Sequence, residues 1–150
     1  MLFIAAAAVA AYANSFTGVF LLDDNGWLTK NINVPELTAH LTHSTRPFTA
    51  LLFFINYRLS GTNPADYHLV NLIIHITAAL LLYGIVRRTL DIYIRNQGCL
   101  RFVPVFASIL WAVHPLQTES VTYIVQRAES LTGMFYLLTL YLALRGMVSQ

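Results

Sequence analysis

The chain has 150 residues and a net charge of +2, with 57% hydrophobic and 11% charged residues, against roughly 25% charged in soluble domains. A mean hydropathy of +0.59 makes this the composition of a membrane protein. The weak positive balance, without a basic stripe interleaved with aromatics, excludes nucleic acid as a partner, and the single cysteine, Cys99, excludes an internal disulfide framework and a cysteine-based zinc site.

Residues 2–22 (LFIAAAAVAAYANSFTGVFLL) carry no charge. At about 1.5 Å per residue, a helix of this length reaches across a hydrocarbon core of roughly 30 Å. This predicts a first transmembrane helix. Ala11 and Ala13 around Tyr12 also have the look of a signal-peptide cleavage site, although no Lys or Arg precedes Lys30 to form a basic leader. An outer segment, residues 23–66, follows. Within it "RPFTALLFFINYRL", residues 46–59, is too short to span, and predicts either a helix lying at the interface between Arg46 and Arg58 or a re-entrant piece buried against the bundle. Gly61 and Pro64 close it.

A second span is expected over residues 67–87, stopped by Arg87-Arg88. The short loop after it adds Arg95 and Arg101, so the loop is cytoplasmic by the positive-inside rule. A third span, residues 102–114, ends at His114-Pro115, because proline disfavours helical geometry in the residue before it. Residues 114–130 return to the outside, and a fourth span, residues 128–145, ends at Arg145. The expected fold is thus an all-α membrane domain over residues 1–150, with about four transmembrane helices and interfacial or amphipathic helices on the non-cytoplasmic side. Six of the seven acids then lie outside and five of the nine bases inside.

Polar side chains gather at the outer ends of these spans: Asp23 and Asp24, then His68 and Asn71, His114, and the stretch from Glu119 to Glu129. Ionisable groups massed on one face of a bundle point to a site. Adjacent carboxylates disfavour each other's ionisation, which suits one of them to act as a general base towards a hydroxyl, or the pair, with Glu119, to take a divalent cation. The alternative for Asp23 and Asp24 is an interface turn with Asn25-Gly26. His68, Asn71 and His75 fall at i, i+3 and i+7 and share a helical face, with a hydrogen bond to a neighbouring helix expected of His75. If "HPLQTESVTYIVQRAES" is helical from about Leu116, then Glu119, Tyr123, Gln126 and Arg127 line one side of an amphipathic helix. Arg127 then binds a phosphate through its fork of donors or forms a salt bridge to Glu119 or a loop acid.

Three motifs in order, "LLDDNGWLTKN", "RPFTALLFFINYRLSGTNPADYHLVNLIIH" and "LWAVHPLQTESVTYIVQRAESLTGMFYLL", resemble the N-terminal region of the polytopic O-mannosyltransferase-like proteins with tetratricopeptide repeats, of the GT-C glycosyltransferase superfamily. The resemblance covers roughly residues 10–145. It implies a polyprenyl-phosphate-linked sugar as donor and transfer to an acceptor hydroxyl, of protein or glycan, on the non-cytoplasmic side of the bilayer, with no defined cofactor beyond a candidate divalent cation. It implies Asp24 or Asp23 as the base, and places Arg127, Glu119, His114 and Glu129 around substrate or donor; Arg46 and His68, polar residues of the same expected outer face, are added as further binding candidates. Such enzymes have many more membrane helices, so the chain is expected to be a fragment of a longer product or a truncated module that needs a partner. A non-catalytic membrane module that binds a lipid-linked sugar or partner helices is the competing expectation. A transporter is disfavoured by polar groups massed at one end.

Overall fold

A computed structural model describes residues 1–20, 24, 45–94 and 98–148. Asp23, the Asn25-Gly26 turn, Lys30, Glu36, His40, His43 and Arg95 lie outside the described residues. The described residues are helical, with no strand among them.

Helix α1, Leu2–Tyr12, continues as a 3-10 helix over Ala13–Thr17 and leaves helical geometry at Gly18, whose ψ is 159°. The expected helix over residues 2–22 is therefore cut short. Local hydroxyls are the reason: Ser15 Oγ donates to the Tyr12 carbonyl at 2.7 Å and Thr17 Oγ1 to the Asn14 carbonyl at 2.9 Å, competing with the α-helical ladder. Helix α2, Pro47–Ser60, starts with proline in its first turn, where the missing N–H costs nothing. It stops at Gly61, which takes a φ of 60° and donates its N–H to the Tyr57 carbonyl at 2.8 Å. Its Ala50, Phe53 and Asn56 are buried, one stripe at three-residue spacing that lies against the bundle.

Asn63 caps the next helix, α3, Pro64–Tyr93, by accepting from the Ala65 N–H at 3.3 Å, and its Nδ2 donates to Asp66 at 2.8 Å. The Tyr67 hydroxyl reaches back to the Gly61 carbonyl at 2.8 Å, which ties the end of α2 to the start of α3. Three shorter or later helices follow: α4, Val103–Ala112, α5, Thr118–Thr122, and α6, Arg127–Val148. With 30 residues, α3 is about 45 Å long. It is the axis of the bundle and touches each of the other five helices.

The core runs along that axis in three clusters. Ile4, Ala79 and Ala112 meet at one level, Ala8, Tyr12, Leu72 and Val121 at the next, and Phe53, Tyr67 and Ile124 at the far end, near the start of α3. Alanine at three of these positions, Ala8, Ala79 and Ala112, lets α1, α3 and α4 approach closely, the packing device of membrane bundles. Further along, α3 and α6 meet at Gly84, where an added Cβ would lie 2.6 Å from Tyr141 Cε2.

One described helix, Pro64–Tyr93, is long and apolar enough to cross a membrane, with a mean hydropathy of 2.2. A second emerges if Leu100–Ala112 and Pro115–Thr122, bent by 52° at the His-Pro corner, are taken as one broken span. The four expected crossings thus reduce to one clear candidate; Leu2–Thr17 is apolar but short.

The contact at Gly84 yields a test. Gly84→Val is expected to lower stability by about 1–3 kcal/mol through overpacking, read as a fall in melting temperature in detergent. Adding Tyr141→Ala should recover most of the loss, and an equal loss in both backgrounds would show that the ring is not what limits the site.

Candidate functional site

The end of the bundle around Tyr67 and Ile124 is organised by a break in the chain. His114 is extended before Pro115, with φ −65° and ψ 134°, and its Nδ1 accepts from the Leu116 N–H at 3.2 Å. A 3-10 turn over Pro115–Gln117 leads into α5, and Tyr123 is again extended, with φ −90° and ψ 115°. Another 3-10 turn, Ile124–Gln126, then enters α6. The single amphipathic helix expected from Leu116 does not form. Side chains from three other segments satisfy the backbone groups that the break exposes. Asn71 Nδ2 donates to the carbonyls of Val121 and Tyr123, both at 3.4 Å, and Asp24 Oδ1 accepts from the Val125 N–H at 2.9 Å. Ser130 Oγ donates to the Ser120 carbonyl at 2.6 Å and clamps α6 to α5.

The break turns Arg127 inward, where it is 0% exposed. Its Nε donates to Asn71 Oδ1 at 2.8 Å, and Nη2 donates to Asn56 Oδ1 and to the Tyr67 carbonyl, both at 3.1 Å. The guanidinium lies 4.1 Å from the Phe53 ring centroid and 5.7 Å from that of Tyr67, a desolvated cation–π arrangement. Burial pulls the group down to about 10, so it remains a cation at neutral pH. No salt bridge joins it to Glu119 or any other acid among the described residues; neutral oxygens and aromatic faces hold the charge. Nη1 has no hydrogen-bond partner among the described residues.

His68 is buried beside this network, and neither ring nitrogen has a hydrogen-bond partner among the described residues. Asp24 and Arg127 both act on it electrostatically. Gly18 makes room for the ring: a Cβ there would sit 3.0 Å from His68 Nε2 and 2.9 Å from the Ser15 carbonyl. One level down, His75 Nε2 lies 2.9 Å from the Ala112 carbonyl, an oxygen that can only accept, so Nε2 carries the proton. The His75 ring stacks on Trp111 at 5.1 Å and meets Tyr12 edge-on at 5.3 Å. The expected interhelical bond of His75 is therefore present.

The remaining site candidates are on the surface. Arg46 and Glu129 pair at 3.5 Å with both side chains more than half exposed, at the mouth of a groove of about 400 Å³ between α2 and α6 that Phe48, Leu131 and Phe135 also line. Glu129 borders a second, smaller cavity of about 70 Å³ with His75 and Trp111. His114 and Glu119 are exposed. The structure thus brings Asp24, His68 and Arg127 together in the interior and leaves Arg46, Glu129, His114 and Glu119 outside it. No group of three His, Cys, Asp or Glu side chains suited to a metal ion occurs among the described residues; of the expected cation ligands, Asp23 lies outside them. Asn56, which shares the Arg127 guanidinium, was not expected from the sequence. Its signal is a lone amide inside the apolar run "LLFFIN".

These features define an all-helical bundle with a buried polar network at one end. Its relatives are proteins named protein O-mannosyl-transferases. The chain is 42% identical to the human protein O-mannosyl-transferase TMTC3 over 63% of its own length and 9% of that protein's. It is 30% identical to human TMTC4 over 92% of its length and 22% of that protein's, and 38% identical to F38B6.6 of Caenorhabditis elegans over 69% of its length and 14% of that protein's. The chain therefore spans less than a quarter of the length of these curated relatives. No family model and no solved structure matches it.

Breaking the buried network has a predictable cost. Arg127→Ala leaves two amide oxygens and a backbone carbonyl without their donor, and should destabilise by about 3–5 kcal/mol. Arg127→Met, which fills the space without a charge, should lose less. Thermal melting in detergent separates them, and an Arg127→Ala protein that melts like the wild type would show the network to be dispensable.

Proposed function

We propose that the chain forms part of a membrane glycosyltransferase of the GT-C kind, which transfers a sugar, mannose by kinship, from a polyprenyl-phosphate donor to a Ser or Thr hydroxyl of protein on the non-cytoplasmic face. The observation that carries this reading is kinship along nearly the whole chain, 92% of it, with a protein O-mannosyl-transferase. In this reading the chain contributes four crossings, with α2 packed at the outer face.

The chemistry asks for a base and for positive charge at the leaving group. Asp24, or its neighbour Asp23, accepts the proton of the acceptor hydroxyl while the hydroxyl oxygen attacks the anomeric carbon. The bond from that carbon to the phosphate oxygen breaks, its electron pair leaves with the polyprenyl phosphate, and the anomeric centre inverts. Arg46, exposed beside a partly apolar groove, suits the phosphate and first isoprenoid units of the donor, with Glu129 positioning the guanidinium. Arg127 is a positioning residue. Its bond to Asn71 holds the Tyr123 break against which Asp24 is set. His68 lies on the Asp24 side of the network, and His114 and Glu119 face the acceptor side.

The bond from the Val125 N–H to Asp24 favours a second reading, in which the carboxylate only supports the break and the chain is a non-catalytic lipid-binding or assembly module. Asp24→Asn separates the two, because an amide oxygen still accepts from that N–H while the charge is gone. Transfer of labelled mannose from polyprenyl-phosphate mannose to a Ser/Thr peptide by the full-length protein should fall by about 10²–10⁴-fold with little change in melting temperature. Undiminished transfer with both Asp23→Asn and Asp24→Asn would leave the scaffold reading in place.

A further inference from the structure

We infer a binding site for an anionic phospholipid head group at the opposite end of the bundle from Asp24. It rests on the membrane placement proposed above, but not on the transfer chemistry. Between α3 and α6 lies a recess of about 360 Å³ lined by Tyr83, Gly84, Arg87, Arg88, Asp91 and Tyr141. The close approach permitted by Gly84 seats the Tyr141 ring against α3, and that ring holds Arg88 in place: the guanidinium lies 5.0 Å from its centroid and Nη2 donates to its hydroxyl at 3.4 Å. Arg87 Nη1 donates to the Tyr83 hydroxyl at 3.3 Å. Arg145 is one turn from Tyr141 on the same helix, at i+4.

The charge balance favours an anion. Asp91 is the acid of the recess and faces Arg87 at 4.0 Å, with both side chains more than half exposed, a weak surface pair. Arg88 has no carboxylate partner among the described residues. Two guanidinium forks and two phenol hydroxyls thus converge where a phosphodiester takes charge-assisted, bidentate bonds. A lipid is the occupant that the surroundings favour. The recess sits about 24 Å along α3 from Tyr67, at the basic end of the one clear spanning helix. Leu2 and Phe3 of α1, at 87% and 76% exposure, offer apolar surface beside it for acyl chains. Basic pockets between helices at this level hold anionic head groups.

Native mass spectrometry of the full-length protein, released from bilayers of mixed phosphatidylglycerol and phosphatidylcholine, tests this. The wild type should retain phosphatidylglycerol over phosphatidylcholine by on the order of tenfold, Arg87→Gln with Arg88→Gln should remove the preference, and Arg101→Gln, outside the recess, should keep it. Should the double variant fail to fold, Arg87→Gln alone is expected to lose part of the preference. No preference in the wild type, an unaltered preference in the recess variants, or an equal loss in Arg101→Gln overturns the site. Displacement of the lipid by inorganic phosphate alone overturns the lipid as occupant. Mannose transfer measured in parallel keeps the proposals apart: lipid preference in a protein without transfer supports this site while counting against the enzyme, and transfer without lipid preference does the reverse.

Discussion

A buried cation with no carboxylate partner among the described residues organises one half of this molecule. The Arg127 guanidinium is fully buried, and removal of a charge from water costs several kcal/mol unless polar groups replace its hydration. Here the replacements are two amide oxygens, one main-chain carbonyl and two aromatic faces. They come from α2 and α3, so neither helix can shift without uncovering the charge. Asn71 sits at the centre of this arrangement. Its oxygen is committed to the guanidinium and its nitrogen to the two carbonyls at the Tyr123 break, which makes the break and the buried cation one cooperative unit.

That unit gives the chain's polar motifs a common physical meaning. The aspartate after the first helix, the amide at the start of α3 and the arginine after the His-Pro corner are far apart in sequence, yet all serve the same interruption of the helix between Thr122 and Arg127. An interrupted helix leaves donors and acceptors that a bilayer cannot hydrate. Interior side chains take them instead, and a carboxylate acquires a fixed position at the bundle's end. A position of that kind is what proton abstraction from a hydroxyl requires.

Much of this was legible in the sequence, and the reason it was is local. The close of α2 at Gly61 and Pro64 and the corner at His114-Pro115 follow from glycine's tolerance of positive φ and proline's fixed φ. The i, i+3, i+7 spacing of His68, Asn71 and His75 told that they share a face, and all three are buried. What the sequence hid depends on partners distant along the chain. The extended Tyr123 has no breaker residue beside it; the break exists because Asn71 and Asp24 satisfy it, and helical periodicity alone reads straight through. Asn56 was missed for the same reason, since its partner is 71 residues away. The early end of the first helix turned on hydroxyls of Ser15 and Thr17 that hydropathy does not weigh.

The long reach of two of these bonds sets an order of assembly. The Tyr12 hydroxyl bonds the Ala112 carbonyl and Asp24 bonds the Val125 N–H, across 100 and 101 residues of sequence. At about 5–20 residues per second, the ribosome takes several seconds or more to deliver those partners. During that interval the phenol at the end of the first helix and the carboxylate beyond it wait for these two bonds. Its final seat opens only when the His-Pro corner emerges, so the earliest segment to be made is among the last to be locked.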